Sequence, residues 1–367
     1  MAATEPLVSP PAAGAPPPRN LPREVVSRAG HFIANNAIYS ALVAVVLVIA
    51  FIAPDFIAVN TVRQVLLNSS VRVIVAMGAS FAILTAGADL SAGRMVGFAA
   101  VLSSSLMQTW DYGYQFYPSI HQSWLWVHVP QATFWIPILI AVAACALAGF
   151  INGVVIAKLN VAPFIATLGM MLIVLGVNSR YFDQPPNNSQ PIAGLRPEFT
   201  ELGSGAIGDG PYSIPYLVVF AVVIGALMWV LMNKTVFGKN VYAIGGNVNA
   251  ARVSGINVAR TTMIMYAVAG ALYGLGGVLL AARSGGASNS YGNMWELDAI
   301  AACVVGGVSV TGGIGTVPGI VSGVLIFSVM DFGLSYININ PYWQLIIRGV
   351  IIVAAVAFDV RKYVAKK

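Results

Sequence analysis

Charge is what this sequence has least of. Lys and Arg number 19 and Asp and Glu 13 in 367 residues, 9% of the chain, against roughly 25% in soluble domains. A soluble globule needs a polar exterior that these counts do not supply. With 58% hydrophobic residues and a mean hydropathy of +0.80, the bilayer is the expected solvent. Cysteine is also scarce: Cys145 and Cys303 lie in apolar runs with no second ligand residue nearby. That argues against a disulfide framework and against zinc. His31, His121 and His128 are too scattered for a metal centre, and neither H-E-x-x-H nor G-x-S-x-G occurs. No G-x-x-x-x-G-K-[ST] phosphate loop occurs either, so the chain is not expected to hydrolyse ATP by itself. The expectation is a protein that is not an enzyme and carries no cofactor of its own.

What is present is apolar sequence in repeated runs. They span about 37–54, 71–86, 93–108, 131–157, 163–182, 214–232, 262–283, 296–310, 317–337 and 342–358. Ten crossings of an all-α polytopic membrane protein follow. The runs starting at 71, 93 and 296 fall below the usual span of about 17–25 residues, so they are either extended by their flanks or partly broken helices. The first 23 residues hold seven prolines and few large apolar side chains. A disordered cytoplasmic tail is expected over 1–30, and a single transmembrane domain over 31–367.

Basic residues set the orientation. With both termini cytoplasmic, 13 of the 19 Lys and Arg fall on the inner side; Arg63, Arg72, Arg180, Arg196 and Arg283 fall outside and Arg348 within the last crossing. The net charge of +6 therefore reports on membrane sidedness, and no nucleic-acid partner is expected. The outer loops 109–130 and 183–213 carry aromatic residues in the first and Pro, Asn and Gly in the second. The aromatics could be interfacial anchors or a landing platform for an external protein. Thr85, Gly87, Gly93 and Gly97 align with Thr311, Gly313, Gly319 and Gly323, a faint repeat of the kind seen in transporters with duplicated halves.

Two sets of residues could carry function. The first is the sparse intramembrane acids Asp89, Glu296 and Asp298, which either cap helices and pair with cations, or join Ser91, Asn178 and Asn293 in binding the hydroxyls of a polar solute. The second is the long basic loop 233–260. Asn247 is a good N-cap there, Ala250 and Ala251 favour helix, and Gly255 suits a stop, giving a short helix over about 248–254. A helix that short needs something to hold it, either its own loop or a cytoplasmic partner.

At these residues a family becomes recognisable. Thr85-Ala-Gly-Ala-Asp-Leu-Ser-Ala-Gly93, Asn160-Val-Ala-Pro-Phe-Ile-Ala-Thr-Leu-Gly169, Phe237-Gly-Lys239, Ala243-Ile-Gly-Gly-Asn247, Ala250-Ala-Arg-Val-Ser-Gly-Ile256, and Glu296-Leu-Asp-Ala-Ile-Ala-Ala302 with Val305-Gly-Gly307 closely resemble the permease subunits of bacterial ABC importers for monosaccharides, the ribose and galactose group. Trp295–Gly307 and Asn340-Pro-Tyr-Trp-Gln344 are most similar to the galactose and methyl-galactoside branch. The resemblance implies the ABC importer permease fold in the bacterial inner membrane, working as a homodimer. It implies a periplasmic sugar-binding protein outside and a separate ATPase inside, which binds the ATP. It also makes Asn247, Asn249, Ala250, Ala251, Arg252, Ser254 and Gly255 the coupling helix seated on that ATPase, with Asn249 standing where maltose-type permeases have Glu. An ion-coupled secondary sugar transporter, using Asp89, Glu296 or Asp298, is the alternative.

Overall fold

Backbone polar groups in an apolar solvent must be satisfied within their own segment or by close neighbours, which leaves helix as the natural form of the apolar runs. In the computed structural model, which describes residues 37–129 and 133–364, fifteen helices carry the fold. The tail expected to be disordered lies outside these residues. The helices are α1 (Ala37–Ile52), α2 (Val59–Leu84), α3 (Ala92–Leu106), α4 (Pro118–His121), α5 (Trp124–His128), α6 (Trp135–Leu159), α7 (Pro163–Asp183), α8 (Pro197–Ser204), α9 (Tyr216–Lys234), α10 (Val236–Gly246), α11 (Val248–Val253), α12 (Val258–Ser284), α13 (Trp295–Val305), α14 (Val317–Tyr336) and α15 (Pro341–Val364). A two-residue ribbon pairs β1 (Ala206–Ile207) with β2 (Ile214–Pro215).

Each expected run overlaps one helix, but six of them, α2, α6, α7, α9, α12 and α14, are long and apolar enough to cross a bilayer. Leu42–Ile52, Ala92–Leu106 and Pro341–Ala354 are apolar but shorter, and α13 has 11 residues. The run expected from residue 71 is corrected: α2 starts at Val59, and Arg72 lies well inside it rather than in an external loop. Its polar first half disguises the helix. Ser69 and Ser70 turn their hydroxyls back onto the Leu66 carbonyl at 3.0 and 2.6 Å, while the Leu67 carbonyl and Asn68 accept from Arg283 at 3.1 and 2.8 Å. Helix ends follow local chemistry. Asn160 closes α6 in the left-handed region at φ 54° and Gly285 closes α12 at φ 65°, and Pro163 opens α7.

The buried centre is formed by α2, α12 and α14, whereas α6, α7 and α9 turn much of their apolar surface outward. Glycine brings α6 and α12 together. A Cβ on Gly270 would strike the Cys145 carbonyl, one on Gly149 the Tyr266 carbonyl, and one on Gly153 would lie 2.6 Å from the Met263 Cα. Between helices in lipid such contact, with little hydrophobic drive, supplies the attraction.

Two helices start in the middle of the bundle. Tyr273 reaches Asp89, Cys145 reaches the Met95 carbonyl, and Gly277 lies against Val96 and Ala99, so α3 begins beside the midpoint of α12. The start of α13 meets it there, because Gly93 and Gly97 leave room only for Glu296 and for the carbonyls of Gly292 and Tyr291. Non-helical segments made largely of turns, residues 85–91 and 285–294, lead into each.

The glycine seam gives a test of the packing. Gly270→Leu forces α6 and α12 apart and should destabilise the protein by about 2 kcal/mol, seen as a lower melting temperature in detergent. Gly169→Leu, where an added Cβ meets nothing within 4 Å, should leave it unchanged.

Candidate functional site

At the end of the bundle where α12 begins, the chain folds into the expected short helix. Asn247 is extended (φ −162°, ψ 108°), and its Oδ1 accepts the Ala250 N–H at 2.9 Å. Residue 255 needs a positive φ, which Gly255 supplies at +83° while its N–H donates to the Arg252 carbonyl at 3.1 Å. The Asn257 side chain then accepts from Arg260 N–H at 2.9 Å to start α12. Of the six residues of α11 only Ala251 is buried; Val248, Asn249, Ala250, Arg252 and Val253 are exposed, as is Ser254 after them, and Val253 is 90% exposed. A single turn and a half that turns nearly all its side chains outward has little self-packing to hold it. Behind it lies a cavity of about 550 Å³ between α11, the end of α2 at Thr85 and Ala86, the α6–α7 junction at Asn160 and Pro163, and the first turns of α12.

The polar residues expected along a path fall into separate hydrogen-bond networks. Asp89 and Ser91 are buried in one network: Asp89 Oδ1 accepts the Ser91 N–H at 3.0 Å and its hydroxyl at 2.6 Å, Oδ2 accepts from Tyr273 at 3.0 Å, and Asn152 donates to Ser91 Oγ at 3.1 Å. Thr167 ties down the non-helical segment, accepting from Leu90 N–H at 3.2 Å and donating to the Ala88 carbonyl at 3.1 Å. Glu296 is 7% exposed beside the start of α3, and its Oε2 has no hydrogen-bond partner among the described residues. Exposed Asn293 accepts from Arg94 at 2.7 Å. Asn178 is buried on α7 and donates to Asn289 at 2.9 Å, which donates to Ser179 at 3.0 Å.

Asp298 belongs to a different cluster. Arg348 of α15 donates to Asp298 at 2.8 Å and to Asp331 of α14 at 2.8 Å, and Arg72 of α2 reaches Asp331 at 2.6 Å. The Arg72 guanidinium also lies 5.8 Å from the Trp295 ring centroid. Two cations and two anions thus join four helices. Sequence reading missed this cluster because its members are separated by up to 276 positions, from residue 72 to residue 348.

At the opposite end, α4, α5, α8 and the ribbon form a cap. It exposes Trp110, Tyr114, Trp124 and Tyr212 while burying a polar knot. Arg196 donates to Thr133 at 3.1 Å and to the Trp126 carbonyl at 3.3 Å, with its guanidinium 5.3 Å from the Trp126 ring. His121 is fully buried 6.4 Å from the same ring. Burial, with Arg196 nearby, pulls the His121 imidazole down to about 4, against the opposing backbone of Leu106 and Ser105.

A family model described as the branched-chain amino acid transport system / permease component matches residues 61–356. The chain belongs to that permease family. It is 46% identical over 336 residues, 92% of this chain and 97% of the relative, to the galactose/methyl galactoside import permease protein MglC of Escherichia coli (strain K12). The permease of the same description from Haemophilus influenzae is 46% identical over 333 residues, 91% and 96% of the two chains. The ribose import permease protein RbsC of Escherichia coli (strain K12) is 32% identical over 325 residues, 88% of this chain and 92% of that one. No solved structure matches the chain. Membership makes the protein a transport component of the membrane and not an enzyme, with its breaks, cap and exposed α11 as parts of a permease.

Two outcomes follow for this permease. Arg348→Met strands Asp298 and leaves Asp331 only Arg72 as its cation, and should cost about 3 kcal/mol, lowering the detergent melting temperature; adding Asp298→Asn, which restores neutrality, should recover part of the loss. His121 is neutral in the fold because its value lies below the ordinary 6.5. Its contribution is therefore complete above pH 6.5 and lost as pH falls towards about 4. Thermal melts between pH 7 and pH 4.5 should show a loss of several degrees that His121→Phe reduces.

Proposed function

We propose that this chain is the membrane-spanning permease of an ATP-driven importer of galactose or methyl galactoside. The observation that carries the proposal is 46% identity over 92% of the chain to a permease named for those sugars, against 32% for one named for ribose. Ten crossings, with both termini cytoplasmic in the bacterial inner membrane, place α11 and most basic residues inside. The exposed α11 then seats a cytoplasmic ATPase, which supplies the ATP chemistry for which this chain has no phosphate loop. Outside, the cap offers its exposed aromatics to a periplasmic sugar-binding protein. The outward apolar faces of α6, α7 and α9 meet lipid or a second copy of the chain.

The residues divide by environment. Asn178, Asn293 and Glu296 lie on or beside the non-helical segment 285–294 and are assigned to the sugar's hydroxyls. Asp89, Ser91 and Asp298 already have their partners within the protein and are assigned to holding the breaks and the helix cluster. Closure of the ATPase moves α11, and the bundle alternates access across its broken helices. Selection rests on the binding protein, so weak contacts in the permease suffice for release.

Proteoliposomes holding the chain, its ATPase and the sugar-loaded binding protein should take up galactose only with internal or external ATP on the ATPase side. Uptake by the chain alone, driven by an ion gradient, would establish the secondary-transporter reading instead. Gly255→Pro removes the positive φ and the N–H that close α11; coupled uptake should fall about tenfold or more with membrane insertion intact.

A further inference from the structure

Just before α11, the last turn of α10 runs against two other segments without a side chain between them. A Cβ on Gly245 would strike the Leu84 carbonyl at the end of α2 and would lie 2.5 Å from the Gly313 nitrogen. Gly312, at φ +86°, leaves only 2.7 Å from its Cβ position to the Gly245 carbonyl and 3.0 Å to the Ala86 nitrogen. Gly313, at φ +75°, leaves 2.9 Å to the Gly246 nitrogen. The Gly313 N–H donates to the Leu84 carbonyl at 2.8 Å, and the Tyr242 hydroxyl donates to the Gly315 carbonyl at 2.9 Å. Three stretches of backbone therefore meet at one point.

What those stretches lead to gives the contact its meaning. Residue 247 opens α11. The end of α2 leads through 85–91 into α3, which starts inside the bundle, and the loop 306–316 joins the other internal helix, α13, to α14. We propose that this three-way glycine contact is the joint through which displacement of α11 reaches both interrupted helix pairs, with Gly245, Gly312 and Gly313 as positioning residues. The inference rests on α11 being the seat of an ATPase. Backbone in direct contact has no rotamers to absorb a push, and close-packed interiors transmit strain. One joint serving both pairs makes their movements simultaneous. Gly312 and Gly313 occupy conformations that other residues adopt only under strain, so the requirement for glycine is twofold there, in space and in φ.

Gly246 supplies the control, since a Cβ there meets nothing within 4 Å. The test uses the full importer in lipid nanodiscs and proteoliposomes, with its ATPase and sugar-loaded binding protein, and reads ATPase co-purification and sugar molecules moved per ATP hydrolysed. Gly245→Ala should retain the ATPase and its hydrolysis but move about tenfold less sugar per ATP; Gly246→Ala should match the unmodified chain. Tyr242→Phe, which removes one hydrogen bond and no volume needed for folding, should lower the ratio about threefold. An unchanged ratio in Gly245→Ala, or an equal loss in Gly246→Ala, overturns the joint and leaves the permease reading intact. If Gly245→Ala does not accumulate, Tyr242→Phe decides, and an unchanged ratio there overturns the proposal. Failure of the unmodified chain to retain an ATPase would overturn both readings.

Discussion

A helix that begins inside an apolar bundle presents amide hydrogens with no carbonyls to take them, and the interior of this protein is arranged around that demand. At the start of α3 one of these amides, that of Ser91, is taken by Asp89, which also accepts the Ser91 hydroxyl on the same oxygen and the Tyr273 hydroxyl on the other. Thr167 takes the Leu90 amide and donates to the Ala88 carbonyl in the non-helical chain before it. Because α2, α6, α7 and α12 contribute to or pack around this one arrangement, the break in the helix is tied to the whole bundle.

Glycine serves two purposes that are easily confused. In α6 and α12, Gly149, Gly153 and Gly270 lie within helices and remove bulk so that neighbouring backbones can touch. Gly312 and Gly313 also allow close approach, but they lie at positive φ in a loop, where their lack of a Cβ permits the conformation itself. Gly255 belongs only to the second kind, since nothing surrounds it. Position in the fold, rather than spacing in the chain, separates these roles.

The helical class and the place of nearly every long helix were legible in the apolar runs, and α11 was legible almost to the residue because its signals are local: Asn247 caps it and Gly255 ends it. The start of α2 was not, since Arg63, Asn68, Ser69 and Ser70 look like loop until Arg283 and the Leu66 carbonyl are seen beside them. Helix α10 was hidden because Gly238, Gly245 and Gly246 look like turn until the backbones packed against Gly238 and Gly245 are seen. Among the candidate site residues, type alone could not separate Asp89, held by hydroxyls, from Asp298, held by Arg348, or from Glu296, which has an oxygen without a partner. Those distinctions arise from contacts across distant sequence.

The cluster of Arg72, Arg348, Asp298 and Asp331 has an electrical consequence. Its charges sum to zero within hydrogen-bond distances, so when the four helices shift together the cluster carries no net charge through the membrane field. Displacing a lone charge across that field would add about 2.3 kcal/mol per 100 mV. This polar anchor is therefore electrically silent, and the voltage across the membrane neither assists nor opposes its movement.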